Sequence, residues 1–210
     1  MPEIMDVSRW QGNIDWKKVK ASGKIDGVML RTVSTSTAYG GIYIDPTFEK
    51  NYWGCVEAGL PVGAYYYTKG ATIDYATKEL AKLKVALEGK TFTLPIAVDV
   101  EDPGLKVLSP ESLAQLIKME AKQIEKWGLY AMVYTYTNFA DTALAMHELT
   151  DFDLWIADYR SKRPSRKHGM WQYTNKGKIP GVSGPVDLSH AYKDYPAIIQ
   201  RAGLSRMKEV

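Results

Sequence analysis

The 210 residues suffice for one well-buried domain, and 45% hydrophobic with 24% charged residues is an ordinary globular balance that excludes a disordered chain. A formal charge of +3 gives no reason to expect a nucleic-acid partner. The single cysteine, Cys55, excludes an intrachain disulfide and a thiolate metal centre, and His147, His168 and His190 lack the short spacing of a zinc motif.

No apolar run approaches the roughly 18 residues that cross a bilayer, so no membrane span is expected. A strand begins almost at once after Met1, which reads as the absence of a secretory signal. Short apolar runs then alternate with helical patterns, the rhythm of a mainly parallel sheet with crossover helices. The expected strands are Ile4–Val7, Gly27–Thr32, Pro61–Tyr67, Pro95–Glu101, Leu129–Thr135, Leu154–Ala157, Met170–Tyr173 and Val186–Leu188. A helix from about Asp74 to Leu87 would bury Leu80, Leu83 and Leu87. A second starts at Ser109-Pro110-Glu111, a capping hydroxyl, a proline where no N–H is needed and an acid at the positive dipole end. Its stripe of Leu113, Leu116, Ile117, Met119 and Ile124 recurs at helical spacing, and Gly128 stops it. After Leu154 only short loops separate the strands. The expected fold is therefore an α/β class, TIM-like but irregular (β/α) barrel with a helix-poor C-terminal half. One domain spans residues 1–203, and residues 204–210 read as a solvated tail or linker stub.

The stretch Ile96-Ala97-Val98-Asp99-Val100-Glu101 reads as a buried strand ending in acids. Residues two apart on a strand share a face, so Asp99 and Glu101 point the same way with Cα atoms about 6.6 Å apart. Chemistry in such barrels sits at the C-terminal strand ends. Close carboxylates repel, which leaves one protonated near neutral pH and able to donate a proton, as glycoside cleavage requires. Read alone, the same stretch is also a strand ending in a polar turn. Asp6 and Asp187 interrupt the first and last strands, where an unpaired acid is costly unless it opens onto a cleft. Barrel closure makes those strands neighbours, so both acids join the candidate site.

These motifs resemble the glycoside hydrolase family 25 lysozymes. Asp6-Val7-Ser8, Gln11-Gly12, Ile14-Asp15-Trp16, Asp45-Pro46-Thr47-Phe48, Ala58-Gly59-Leu60-Pro61-Val62-Gly63-Ala64-Tyr65, Asp99-Val100-Glu101, Leu154-Trp155-Ile156-Ala157, Trp171-Gln172-Tyr173-Thr174 and Gly184-Pro185-Val186-Asp187-Leu188 follow the family's order to about residue 203. The resemblance implies a barrel of five β/α-type elements completed by antiparallel strands. It implies an N-acetylmuramidase that cuts the β-1,4 bond between N-acetylmuramic acid and N-acetylglucosamine in peptidoglycan, with no metal or cofactor. By position, Glu101 is the general acid/base, Asp99 orients the 2-acetamido group in a retaining reaction, and Asp6 and Asp187 bind the sugar. The chain departs from the family at Arg31-Thr32-Val33-Ser34-Thr35, where Ser34 replaces an acid, and at Tyr65-Tyr66-Tyr67, where Tyr-His-Phe is usual.

Tyr65, Tyr67, Tyr134, Trp155 and Trp171 lie near strand ends, where rings either fill the barrel or stack on sugars. The basic run Arg160, Lys162, Arg163, Arg166, Lys167 is a solvated loop or a contact for anionic wall polymers. The rival readings are a chitinase-type hydrolase and a catalytically silent wall-binding module. The expected setting is a monomer acting extracellularly on the bacterial wall, phage-encoded and freed by the host-lysis machinery.

Overall fold

The computed structural model describes residues 1–160 and 162–208. In chain order its elements are β1 (Glu3–Val7), α1 (Trp16–Ala21), β2 (Gly27–Ser36), β3 (Gly41–Ile44), α2 (Phe48–Glu57), β4 (Val62–Tyr67), α3 (Ile73–Leu87) and β5 (Ile96–Asp99). There follow α4 (Pro110–Lys126), β6 (Ala131–Tyr136), α5 (Thr137–Thr142), β7 (Asp153–Ala157), β8 (Met170–Gly177), β9 (Val186–Ala191) and α6 (Tyr195–Ala202). The sheet closes because β1 pairs with both β2 and β9, giving the ring β1-β2-β4-β5-β6-β7-β8-β9. Neighbours from β1 through β8 are parallel, and β9 runs antiparallel to β8 and to β1. The ring thus has one antiparallel strand among the described residues, fewer than the resemblance implied. The other antiparallel strand, β3, lies outside the ring against the end of β2.

Alternation sorts each strand between two cores. Outward residues such as Met5, Val28, Leu30 and Val98 pack with Leu83, Leu113 and Ile117 of the helices. Inward residues Ile4, Met29, Ala97, Met132, Trp155 and Met170 form a separate cluster that Tyr195 and Ile199 of α6 join from the base. Gly63 keeps the interior narrow: a Cβ there would lie 2.6 Å from both Met29 Sδ and Pro95 O. Helix α4 begins as its sequence indicates, with Ser109 Oγ accepting from Ser112 N–H at 3.2 Å. It gives way at Gly128, which takes the left-handed φ of 87°.

The segment 204–208 corrects the expectation of a solvated tail. Ser205 and Arg206 bridge Leu129 and Thr91 at the base of the barrel. Phe92 N–H donates to Ser205 O at 2.7 Å, and Lys208 N–H to Trp127 O at 2.8 Å. The tail is held because the buried N–H of Phe92 before β5 needs an acceptor and the Trp127 carbonyl before β6 a donor. Glu209 and Val210 lie outside the described residues.

Candidate active site

Asp6 of β1 is the register partner of Asp187 of β9, so the antiparallel closure sets the two carboxylates face to face. Asp99 ends β5, opposite Tyr67 of β4 and Tyr134 of β6. The chain stays near β6 for one more step, with Val100 N–H donating to Tyr134 O at 2.8 Å, and Glu101 follows. All four carboxylates line a single cavity of about 180 Å³ at the C-terminal ends of the parallel strands. Asp6 and Asp99 are buried at 6% and 3% exposure, while Glu101 and Asp187 are half-buried.

Crowding four acids into a partly dry space raises them all, with burial the first cause in each case. Glu101 is raised to about 7 by burial, then by Asp187 and Asp102. Asp187 reaches about 6, burial outweighing a hydrogen bond from its own backbone. Asp6 is pushed up by burial and Asp187 and drawn back by the Gln172 amide. Asp99 is pushed up by burial, Glu101 and Asp6, and drawn down by Arg31. Arg31 itself is clamped to Asp45 Oδ2, from Nε at 2.9 Å and Nη2 at 2.7 Å. Asp99 Oδ1 is buried without a protein partner, a free acceptor in the cavity wall. Among the described residues no group of three or more His, Cys, Asp or Glu side chains is arranged to hold a metal ion.

The expected aromatics divide. Tyr65 and Tyr134 line the cavity, and Trp155 forms its floor, 1% exposed, with its edge toward both rings and Nε1 donating to Ser189 Oγ at 3.0 Å. Trp155 is therefore support for the site and offers no open stacking face. Tyr67 stands at the rim, its hydroxyl 3.3 Å from Asp102 Oδ2. Trp171 is corrected outright. It packs with Tyr173 and His190 away from the cavity, because its neighbour Gln172 takes the inward position on β8.

Sequence reasoning missed Gln172 and Tyr159. The Gln172 amide donates from Nε2 to Asp6 Oδ2 at 2.9 Å, and its Oε1 accepts from Tyr134 at 3.1 Å and Tyr159 at 2.7 Å. Two hydroxyl donors on Oε1 leave the NH₂ group to face Asp6. The available signal was the alternation that puts residue 172, and not 171, on the side of Met170.

A closed α/β barrel with carboxylates gathered at its C-terminal mouth defines the glycosidase type of site. The chain belongs to the glycosyl hydrolases family 25, which it matches over residues 5–182. It is 32% identical over 190 residues to the uncharacterized protein YegX of Escherichia coli K12, covering 88% of this chain and 67% of that protein. It is 30% identical over 189 residues to the autolytic lysozyme of Clostridium acetobutylicum, covering 88% and 54%. The bacterial lysozyme of Streptomyces coelicolor shares the fold at a TM-score of 0.79 and 22% identity, covering 96% of this chain and 97% of that one.

Proposed function

We propose that this chain is an N-acetylmuramidase that hydrolyses the β-1,4 bond between N-acetylmuramic acid and N-acetylglucosamine in bacterial peptidoglycan, with retention. The observation that carries the reading is Glu101, raised to about 7 at the edge of a cavity that three aspartates share. A carboxyl in that range is protonated often enough to give its proton to the leaving oxygen and to take one back from water.

In the first step the acetamido oxygen of the N-acetylmuramic acid attacks C1, the glycosidic C–O bond breaks, and the Glu101 proton goes to the departing O4. Asp99 supports the positive charge that develops on the acetamido-derived ring, its free Oδ1 accepting the N–H. With Glu101 protonated, one of the charges that raises Asp99 is gone, and Arg31 further favours its ionised form. In the second step Glu101 takes a proton from water, the water oxygen bonds to C1, and the ring opens back to the acetamide. Asp6, fixed by Gln172, and Asp187 bind the sugar in the cavity.

Mass spectrometry of digested walls tests the reading. New reducing ends on N-acetylmuramic acid are expected. Reducing ends on N-acetylglucosamine, or turnover of chitin with none of peptidoglycan, would overturn it, and intact walls would leave only a binding module.

A further inference from the structure

Asp102 follows Glu101 in the chain, and its charge is one of those that raise Glu101. Its carboxylate is fixed by three groups. Gly104 N–H donates to Oδ1 at 2.8 Å, the Tyr67 hydroxyl donates to Oδ2 at 3.3 Å, and Lys69 Nζ lies 3.2 Å from the same Oδ2. Lys69 Nζ also stands 5.6 Å from the centre of the Tyr67 ring.

A lysine on a surface turn ordinarily samples many rotamers. The turn that carries Lys69 is tied down. Lys69 N–H donates to Glu79 Oε1 at 3.0 Å, Gly70 N–H donates to Glu79 Oε2 at 3.2 Å, and Glu79 is fully buried. Thr68 N–H donates to Asp99 O at 3.1 Å, and the Thr68 hydroxyl lies 2.9 Å from Glu79 Oε2. At Gly70 a Cβ would lie 2.7 Å from Ala76 N, so the turn packs directly on α3. One short segment after β4 is thus anchored to a buried acid, holds the backbone of Asp99, and extends a cation to the neighbour of Glu101.

Resting on Glu101 as the acid/base of the muramidase reading above, we propose that Lys69 is a positioning residue that acts through Asp102: it holds that carboxylate in place, offsets its charge and so sets the acid strength of Glu101, without itself contacting the glycan. The other groups around Glu101 leave this task open. Asp6, Asp99 and Asp187 share its cavity, and no cation lines that cavity among the described residues. Tyr67, Tyr134 and Tyr159 are raised by burial above their ordinary value of 10 and stay neutral. Arg31 bears on Asp99 and is clamped to Asp45. On the outer side of Glu101, Asp158 pairs with Arg160 and Asp141 with Arg166.

The test follows the carbon-13 resonance of the Glu101 carboxyl through pH in the full chain, together with the alkaline limb of kcat/KM on solubilised glycan strands. Lys69→Met leaves the charge of Asp102 unopposed, which disfavours a second ionised carboxylate, so both midpoints should rise by roughly half a pH unit. Lys69→Arg keeps a cation within reach and should restore them. Asp102→Asn keeps an acceptor for Gly104 N–H and should lower both midpoints, and adding Lys69→Met to it should move them little further. Midpoints unmoved by Lys69→Met would overturn the proposal. So would an equal rise in the Asp102→Asn background, which would mean that Lys69 acts on Glu101 directly. A raised KM with unmoved midpoints would make Lys69 a substrate contact and overturn it too. A wild-type protein that releases no reducing ends, in a set of variants that shows the expected carbon-13 shifts, would sink the muramidase reading and leave the role of Lys69 standing.

Discussion

Glu101 takes its raised pKa first from burial and then from Asp187 and Asp102, with Asp99 absent from its main causes. Two consequences follow for variants. Glu101→Gln keeps the shape and removes the proton donor, so release of reducing ends should fall by at least about 10²-fold. Near-normal turnover would refute the assigned role. In the wild type, rate is lost on the alkaline side as Glu101 gives up its proton near 7. Removing the negative charge of Asp187 lowers that pKa, so Asp187→Asn should move the alkaline limb of kcat/KM to lower pH. A limb that stays put, in a folded variant, would mean that burial and Asp102 raise Glu101 without Asp187. The sequence alone exposed Asp6 and Asp187 because each interrupts an apolar strand, a costly choice that needs a cleft to explain it, and Asp99 and Glu101 because they end an apolar strand two residues apart. It misplaced Trp171 because a large ring near a strand end looks like a sugar platform until the pleat is counted. It passed over Tyr159 because a loop residue carries no periodicity.

At the scale of elements, helices α3 and α4 were legible from their apolar stripes, but each also buries a glutamate on the core face. Glu79 of α3 and Glu120 of α4 are both 0% exposed, and Thr68 Oγ1 sits 2.9 Å from Glu79 Oε2 and 3.2 Å from Glu120 Oε1. No pattern of hydrophobicity announces such a pair, since acids belong by default to the solvated face. The backbone N–H groups of Lys69 and Gly70 also donate to Glu79, so it is the better placed of the two to stay ionised. Glu120 is raised to about 8 by burial and by Glu79, against the nearby Tyr66 and Thr68 hydroxyls. A carboxyl raised on folding contributes stability that is complete below its ordinary value of 4.5 and lost as pH climbs through about 8. The urea midpoint should therefore fall between pH 6 and pH 9, and Glu120→Gln should flatten that fall. Equal slopes in the two proteins would show that Glu120 does not titrate in this range. Strand β3 escaped notice for a different reason: it is four residues long and pairs with Val33–Ser36, a stretch of Val, Ser and Thr without apolar alternation.

For the whole molecule, the site depends on closure: Asp6 and Asp187 meet only because the first and last strands of the ring pair. That was readable from the chain, since eight strand patterns with helices thinning toward the end admit few other solutions. The seal at the base was not, because Leu204-Ser205-Arg206-Met207-Lys208 is mostly polar and gains its order only from partners far away in sequence. Leu204 packs against the inner core, and the segment accepts from Phe92 N–H, donates to Trp127 O and bridges the residues just before β5 and β6. Those two strands carry Asp99 and Tyr134 at their opposite ends. Ending the chain after Gly203 would orphan the N–H of Phe92, a residue only 1% exposed, at a cost of about 1–3 kcal/mol. For a domain of this size that lowers Tm by roughly 2–12 °C. Because the loss falls at the far end of the strands, turnover per folded molecule at 25 °C should be unchanged. Calorimetry together with a wall-digestion assay separates the outcomes: an unchanged Tm would mean that the segment adds nothing to the barrel, whereas lost turnover in a still-folded protein would mean that the base and the mouth are coupled through β5 and β6.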